Sequence, residues 1–92
     1  MKKAITCHIE GRVQMVMYRD FALRNAKSFT IVGTVKNMHD GSVEVYAEGE
    51  ELALLRYIEK LKQGSLLSNV ERIDVVWGDA SSNLSNFHII YK

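Results

Sequence analysis

Along the first ten residues apolar and polar positions alternate: Ile5, Cys7 and Ile9 fall on one side of "AITCHIE", and Thr6, His8 and Glu10 on the other. A period of two is strand spacing. From about Arg19 to Phe29 the period lengthens, with Ala22, Ala26 and Phe29 flanked by Phe21 and Leu23, which predicts a helix with one apolar stripe. Alternation then returns twice, in "IVGTVKN" through Ile31, Gly33 and Val35, and in "SVEVYAE" through Val43, Val45 and Ala47. The intervening "MHDG" ends on Asp40-Gly41, a hairpin signal because glycine tolerates positive φ. A second helix is predicted from about Glu50 to Gln63. Glu50 and Glu51 suit its first turn, Leu54, Ile58 and Leu61 form its buried stripe, and Gly64 can close it. "VERIDVVW" and "FHIIYK" read as two further strands around the polar loop "GDASSNLS", with Trp77 and Phe87 at inward parity and so assigned to the core.

The resulting order is β-α-β-β-α-β-β. Two β-α-β halves around a hairpin form a split, ferredoxin-like α+β sandwich, here with a short extra C-terminal strand, in which both helices cover one face of a mainly antiparallel sheet. The right-handed crossover rule makes strands one and two parallel, with strand three between them. The loop after Glu10 and the residues around Asn37 then meet at one edge, about 10 Å apart, two inter-strand spacings. Asn37 continues the parity of Gly33 and Val35 and should face the helices. The periodicities do not say which strand "FHIIYK" joins.

Composition narrows this picture. Ninety-two residues, 47% of them hydrophobic and 25% charged, suit a single globular domain spanning residues 1–92, without an internal repeat or low-complexity segment. Cys7 is the only cysteine, so no intrachain disulfide is available, which favours a reducing compartment. The amino terminus "MKKAITCHIE" has no apolar leader core, and no window approaches the roughly 20 apolar residues of a membrane span. A cytoplasmic, monomeric protein without a membrane partner is expected. A net charge of +1 offers no general attraction to nucleic acid, so an anion site must be local.

Candidate chemistry lies in "GRVQMVMYRD", residues 11–20. Arg19 stands at the expected start of helix one, where a cation opposes the macrodipole by roughly 0.3–1 kcal/mol. The opposition reverses if an anion binds there. A loop entering a helix presents N–H groups without intrahelical partners, and a guanidinium adds a planar fork matched to phosphate oxygens. Asn37, brought to the same edge, is either turn chemistry or a carboxamide that holds a water.

At this point the residues resemble a known family. "GRVQMVMYRDF", then "IVGTVKNMHDGSVEVYAEGE", then an amphipathic helix and "VERIDVVW" are similar to the acylphosphatases over essentially the whole chain. The family has a Gly-x-Val-Gln-Gly-Val-x-(Phe or Tyr)-Arg loop and a Gly-x-Val-x-Asn-x-x-(Asp)-Gly-x-Val hairpin. Gly33, Val35, Asn37, Asp40, Gly41 and Val43 match the second. The resemblance implies hydrolysis of small acyl phosphates to carboxylate and inorganic phosphate, without a metal or other cofactor. It also implies that Arg19 binds phosphate and Asn37 positions the attacking water, with Gln14, Met15, Val16, Met17 and Tyr18 as the cradle. Met15 departs from the pattern, and Met17 fills another position where glycine is frequent. If residue 15 needs positive φ, a methionine there costs on the order of 1 kcal/mol and narrows the mouth.

Other residues attract blander readings. His8, His39 and His88 have no ligand-spaced partners and are expected to be structural or solvated. Cys7, on the apolar side of its strand, is expected to be an inert buried thiol. Tyr18 either packs under the loop or edges its mouth. The alternatives are a catalytically weak anion-binding or regulatory domain on the same fold, or an RNA-binding module. An RNA module would stack bases on aromatics of the central strands. Thr6, His8, Glu44, Tyr46 and Glu48 offer one aromatic among acids, a surface that repels phosphate.

Overall fold

In a computed structural model that describes residues 1–91, the chain forms β1 (Lys2–Arg12), α1 (Tyr18–Ser28), β2 (Val32–Asn37), β3 (Val43–Glu50), α2 (Glu51–Gln63), β4 (Asn69–Asp79) and β5 (Phe87–Ile90). The sheet order is β4-β1-β3-β2-β5. Pairing is antiparallel for β1 with β3, β1 with β4 and β2 with β3, and parallel for β2 with β5. This is the expected ferredoxin-like α+β arrangement, with β1 and β2 running the same way on either side of β3. The parallel pairing supplies the missing partner of the last strand: β5 exits at the same edge as β2. That strand was expected to run through Lys92, which lies outside the described residues; its pairing ends at Ile90.

One face of the sheet carries the core. Ile5, Cys7 and Ile9 of β1 meet Val43, Val45 and Ala47 of β3 and Val35 of β2 under Ala22 and Ala26 of α1 and Leu54, Ile58 and Leu61 of α2. Tyr57, which the stripe reading omitted, is fully buried among them. Two tyrosines cross between the helices: the Tyr18 hydroxyl donates to the Leu61 carbonyl at 2.8 Å, and the Tyr57 hydroxyl to the Ala22 carbonyl at 2.8 Å. Leu61 is within the last turn of α2, so Tyr18 satisfies a carbonyl the helix itself leaves open. Phe87 is buried and meets the Tyr57 ring edge-on at 6.2 Å.

Trp77 corrects an expectation. It is in register with inward-facing Ile5, so its parity is as read, yet it is 42% exposed. It sits on the edge strand β4 and shares a surface cleft with Glu51, the first residue of α2, at the rim of the helix layer. Parity chooses the face; an overlying element is needed for burial.

The other sheet face is partly closed by the segment after β4. Glu48 is buried there, accepting N–H bonds from Ser81 (3.3 Å) and Ser82 (3.1 Å), the Ser82 hydroxyl (2.7 Å) and the Tyr46 hydroxyl. The aromatic of the would-be base-stacking surface is thus bound to a carboxylate. No helix among the described residues is long and apolar enough to cross a membrane.

Candidate active site

Strand β1 continues past Glu10 through a bulge at Glu10/Gly11. Gly11 has φ 126°, and a Cβ there would lie 2.2 Å from the Asn69 carbonyl oxygen, so only glycine lets the strand pass and deliver the chain into the loop. The loop then alternates in hand. Met15 (φ 61°) and Met17 (φ 62°) are left-handed, and Val16 between them is not. Such alternation points successive N–H groups into one concavity, a nest for anions. The first intrahelical bond of α1 joins Phe21 N–H to Met17 O at 3.1 Å, which leaves the N–H groups of Tyr18, Arg19 and Asp20 facing out of the helix start.

A hairpin at the same edge holds this loop in place. Gln14 donates both amide hydrogens across it, to the Met38 and Ser42 carbonyls at 2.8 Å each. Those carbonyls also close the turn, accepting from Gly41 and Met38 N–H respectively. Asp40 accepts from Ser42 N–H (2.9 Å) and from its hydroxyl, with Gly41 at φ 93° completing the reversal. These Ser42 bonds, with nearby His8 adding a smaller pull, hold the Asp40 carboxyl below its usual range. The side chain of Gln14 is therefore a latch between loop and hairpin, already fully engaged as a donor.

The remaining cradle residues divide by side chain. Val16 and Tyr18 are buried and can offer an anion only their main chain. Tyr18 packs under the loop, where burial first and the Cys7 charge second raise its hydroxyl pKa. Met15 and Met17 stand 99% and 69% exposed. They share with Arg19 a cleft of about 490 Å³, which Val13, Asp20, Ile89 and Tyr91 complete. The Arg19 guanidinium lies over the Tyr91 ring, 5.1 Å from its centroid, a cation–π contact that restricts where the fork can point. Asp20, in the first turn, pairs with Arg24 at 3.0 Å and offsets the unfavourable sign of Arg19 there.

Asn37 ends β2 and faces the helix side, as its parity required. Its register partner Val43 is paired in turn with Ile9, so two strand spacings, roughly 10 Å, separate Asn37 from Ile9 of β1. It does not line the Arg19 cleft; it sits beside Met38, whose carbonyl Gln14 holds. Its Oδ1 is buried and accepts no hydrogen bond from the described residues. An orphaned buried acceptor costs about 1–3 kcal/mol, so the position calls for a donor beyond the described residues. A water meets that need.

Among the described residues no group of three or more His, Cys, Asp or Glu side chains is disposed to hold a metal ion. His8 lies 3.4 Å from Glu10 and 3.8 Å from Asp40 on the opposite sheet face. Two contributors to the site escaped the sequence reading. Tyr91 was invisible because the pairing of its strand was unknown. The latch of Gln14 was invisible because both its acceptors are main-chain carbonyls more than 20 residues away.

The chain is similar to known proteins along most of its length. A family model described as Acylphosphatase matches residues 5–89. The acylphosphatase of Thermus thermophilus is 43% identical over 88% of this chain and 91% of its own, and that of Salinibacter ruber 39% identical over 96% and 93%. The crystal structure of acylphosphatase from Bacillus subtilis superposes with a TM-score of 0.94 at 37% identity, covering 97% of this chain and 99% of that one. On the match over residues 5–89, on relatives about 40% identical across most of the chain and on the shared fold, the chain belongs to the acylphosphatase family.

Proposed function

We propose that this protein hydrolyses the carboxyl–phosphate bond of small acyl phosphates, releasing a carboxylate and inorganic phosphate. What supports the reading is that the left-handed Met15 and Met17, the helix start from Tyr18 to Asp20 with its open N–H groups, and Arg19 all line one cleft. In this reading Arg19 and the main-chain donors hold the phosphoryl oxygens, and Asn37 Oδ1 accepts a hydrogen bond from the attacking water.

The chemistry asks little else of the chain. A carboxylate leaving group has a conjugate-acid pKa of about 4, so it departs without a general acid. Phosphoryl transfer depends on holding the nucleophile in line and on meeting charge at the equatorial oxygens. A fixed guanidinium and preorganised N–H donors meet that charge, and no metal enters this mechanism. Asn37 is no base at neutral pH; its share is orientation. Gln14 keeps loop and hairpin, and with them phosphate site and water site, at one spacing. The same reading makes the protein a cytoplasmic monomer whose partners are its substrate and phosphate, with no nucleic acid or membrane.

Turnover of a small acyl phosphate in the presence of a chelator tests this. Wild type should turn over undiminished. Arg19→Ala should lower kcat/KM by about 100-fold or more, the scale of a lost transition-state donor, and weaken competitive inhibition by inorganic phosphate. Asn37→Ala should lower kcat while leaving that inhibition in place. Unchanged rates in both variants would discard the assignment.

A further inference from the structure

Met15 and Met17 present a puzzle that folding does not resolve. Each adopts a left-handed backbone, which costs a non-glycine residue on the order of 1 kcal/mol, and neither recovers it by packing, for their side chains are 99% and 69% exposed. Tyr91, across the same cleft, is 78% exposed. Three large apolar side chains therefore ring the mouth of the Arg19 cleft, with Ile89 along its wall. Their unspent surface faces the space beside the group that would hold phosphate.

We propose that Met15, Met17 and Tyr91 form a subsite for the acyl group, and that the preferred substrate is an acyl phosphate with an apolar acyl group, aromatic above all, bearing no second negative charge. The inference rests on the reading of Arg19 as the phosphate binder. With phosphate on Arg19, the acyl carbon is tethered at the mouth, and its substituent must lie against whatever lines it. Thioethers are flexible and polarisable and make favourable contacts with aromatic rings, and Tyr91 adds a ring for stacked or edge-on packing. Charge argues the same way. Among the described residues lining the cleft, Arg19 is the only cation and Asp20 the only other charged group. A second carboxylate or phosphate on the acyl group would find no further cation among these lining residues and would approach Asp20, paired though it is with Arg24.

The test compares kcat/KM for benzoyl, acetyl and succinyl phosphate, each divided by its uncatalysed rate, in wild type and in Met15→Ala, Met17→Ala and Tyr91→Ala. Truncation of these exposed side chains removes no core packing. Wild type should prefer benzoyl over acetyl phosphate by about tenfold or more, a modest apolar discrimination, expressed mainly in KM, and should handle succinyl phosphate no better than acetyl. The benzoyl-to-acetyl ratio should fall several-fold in each methionine variant and furthest when both are combined with Tyr91→Ala. A ratio unchanged in the triple variant, or a preference for succinyl phosphate, would overturn the subsite while leaving the hydrolase reading intact. No turnover of any of the three would overturn that reading itself, and the subsite with it.

Discussion

Backbone hand at two methionines and one amide latch shape the loop of this protein residue by residue. At Met15 the left-handed φ of 61° is the conformation that glycine adopts without strain. Met15→Gly should therefore leave the inhibition constant for inorganic phosphate unchanged or lower it; a tenfold weakening would show that the methionine is itself part of the anion cradle. Gln14 is the converse case. Its amide spans two carbonyls of the hairpin, and Gln14→Ala leaves both without that donor. A stability loss of about 1–3 kcal/mol in urea titration is expected, together with lower kcat/KM as the loop loses its spacing from Asn37. Much of this site was legible in the sequence: Arg19 by its sign at a helix start, Met15 and Met17 by their departure from a glycine pattern, Asn37 by parity. The partners of Gln14 and the place of Tyr91 were not. Local period and polarity describe which way a side chain faces, and neither encodes a contact made across the fold with a carbonyl or through an unassigned strand pairing.

Between elements, the reciprocal tyrosines join the two helices above the sheet. Each hydroxyl is buried with one acceptor, Leu61 O for Tyr18 and Ala22 O for Tyr57. Tyr57→Phe should cost about 0.5–1.5 kcal/mol, the net worth of one hydrogen bond, as read from the urea midpoint. Tyr18→Phe should cost as much and also disturb phosphate inhibition, because Tyr18 is the first residue of the helix that carries Arg19. The element order and both helix stripes could be read from periodicity, since burial on one face leaves its imprint directly on spacing. Tyr57 falls at the same helical spacing, three residues after Leu54, but a tyrosine next to Arg56 is as common at the surface as in a core, so spacing alone does not place it. Trp77 erred in the opposite direction, for alternation reports the face of a strand and carries no record of where a covering helix begins.

Across the whole molecule, ionisable groups bound the pH range in which the fold holds. On the acid side Glu48 is one of three carboxyls, with Asp40 and Glu50, whose folded values are lowered, and it is the buried one. Burial alone would raise its pKa, but bonds from Tyr46, Ser82 and Ser81 together outweigh burial and lower it below the ordinary 4.5. Its contribution is accordingly present above pH 4.5 and fades as pH falls through the lower folded value. On the alkaline side the signs reverse. Desolvation lifts Cys7 from 9.0 to about 12 and raises Tyr18 and Tyr57 above 10.0, with smaller additions from neighbouring charges on the tyrosines. In each case the folded state keeps a proton that the unfolded chain releases, so stability is full below the unfolded pKa and is lost as pH rises towards the folded one. Each group can add a slope of up to about 1.4 kcal/mol per pH unit. Urea midpoints measured against pH should thus hold a plateau to about pH 9, decline through the Cys7 contribution, and steepen beyond pH 10 as the tyrosines join. Cys7→Ala isolates the first step. It lowers the plateau by opening a small cavity, yet its decline should begin only near pH 10. Curves for wild type and variant that run parallel from pH 9 to 10 would mean the thiol ionises in the folded protein as readily as in the unfolded one. The core of β1 would then be open to water, contrary to the packing seen around it.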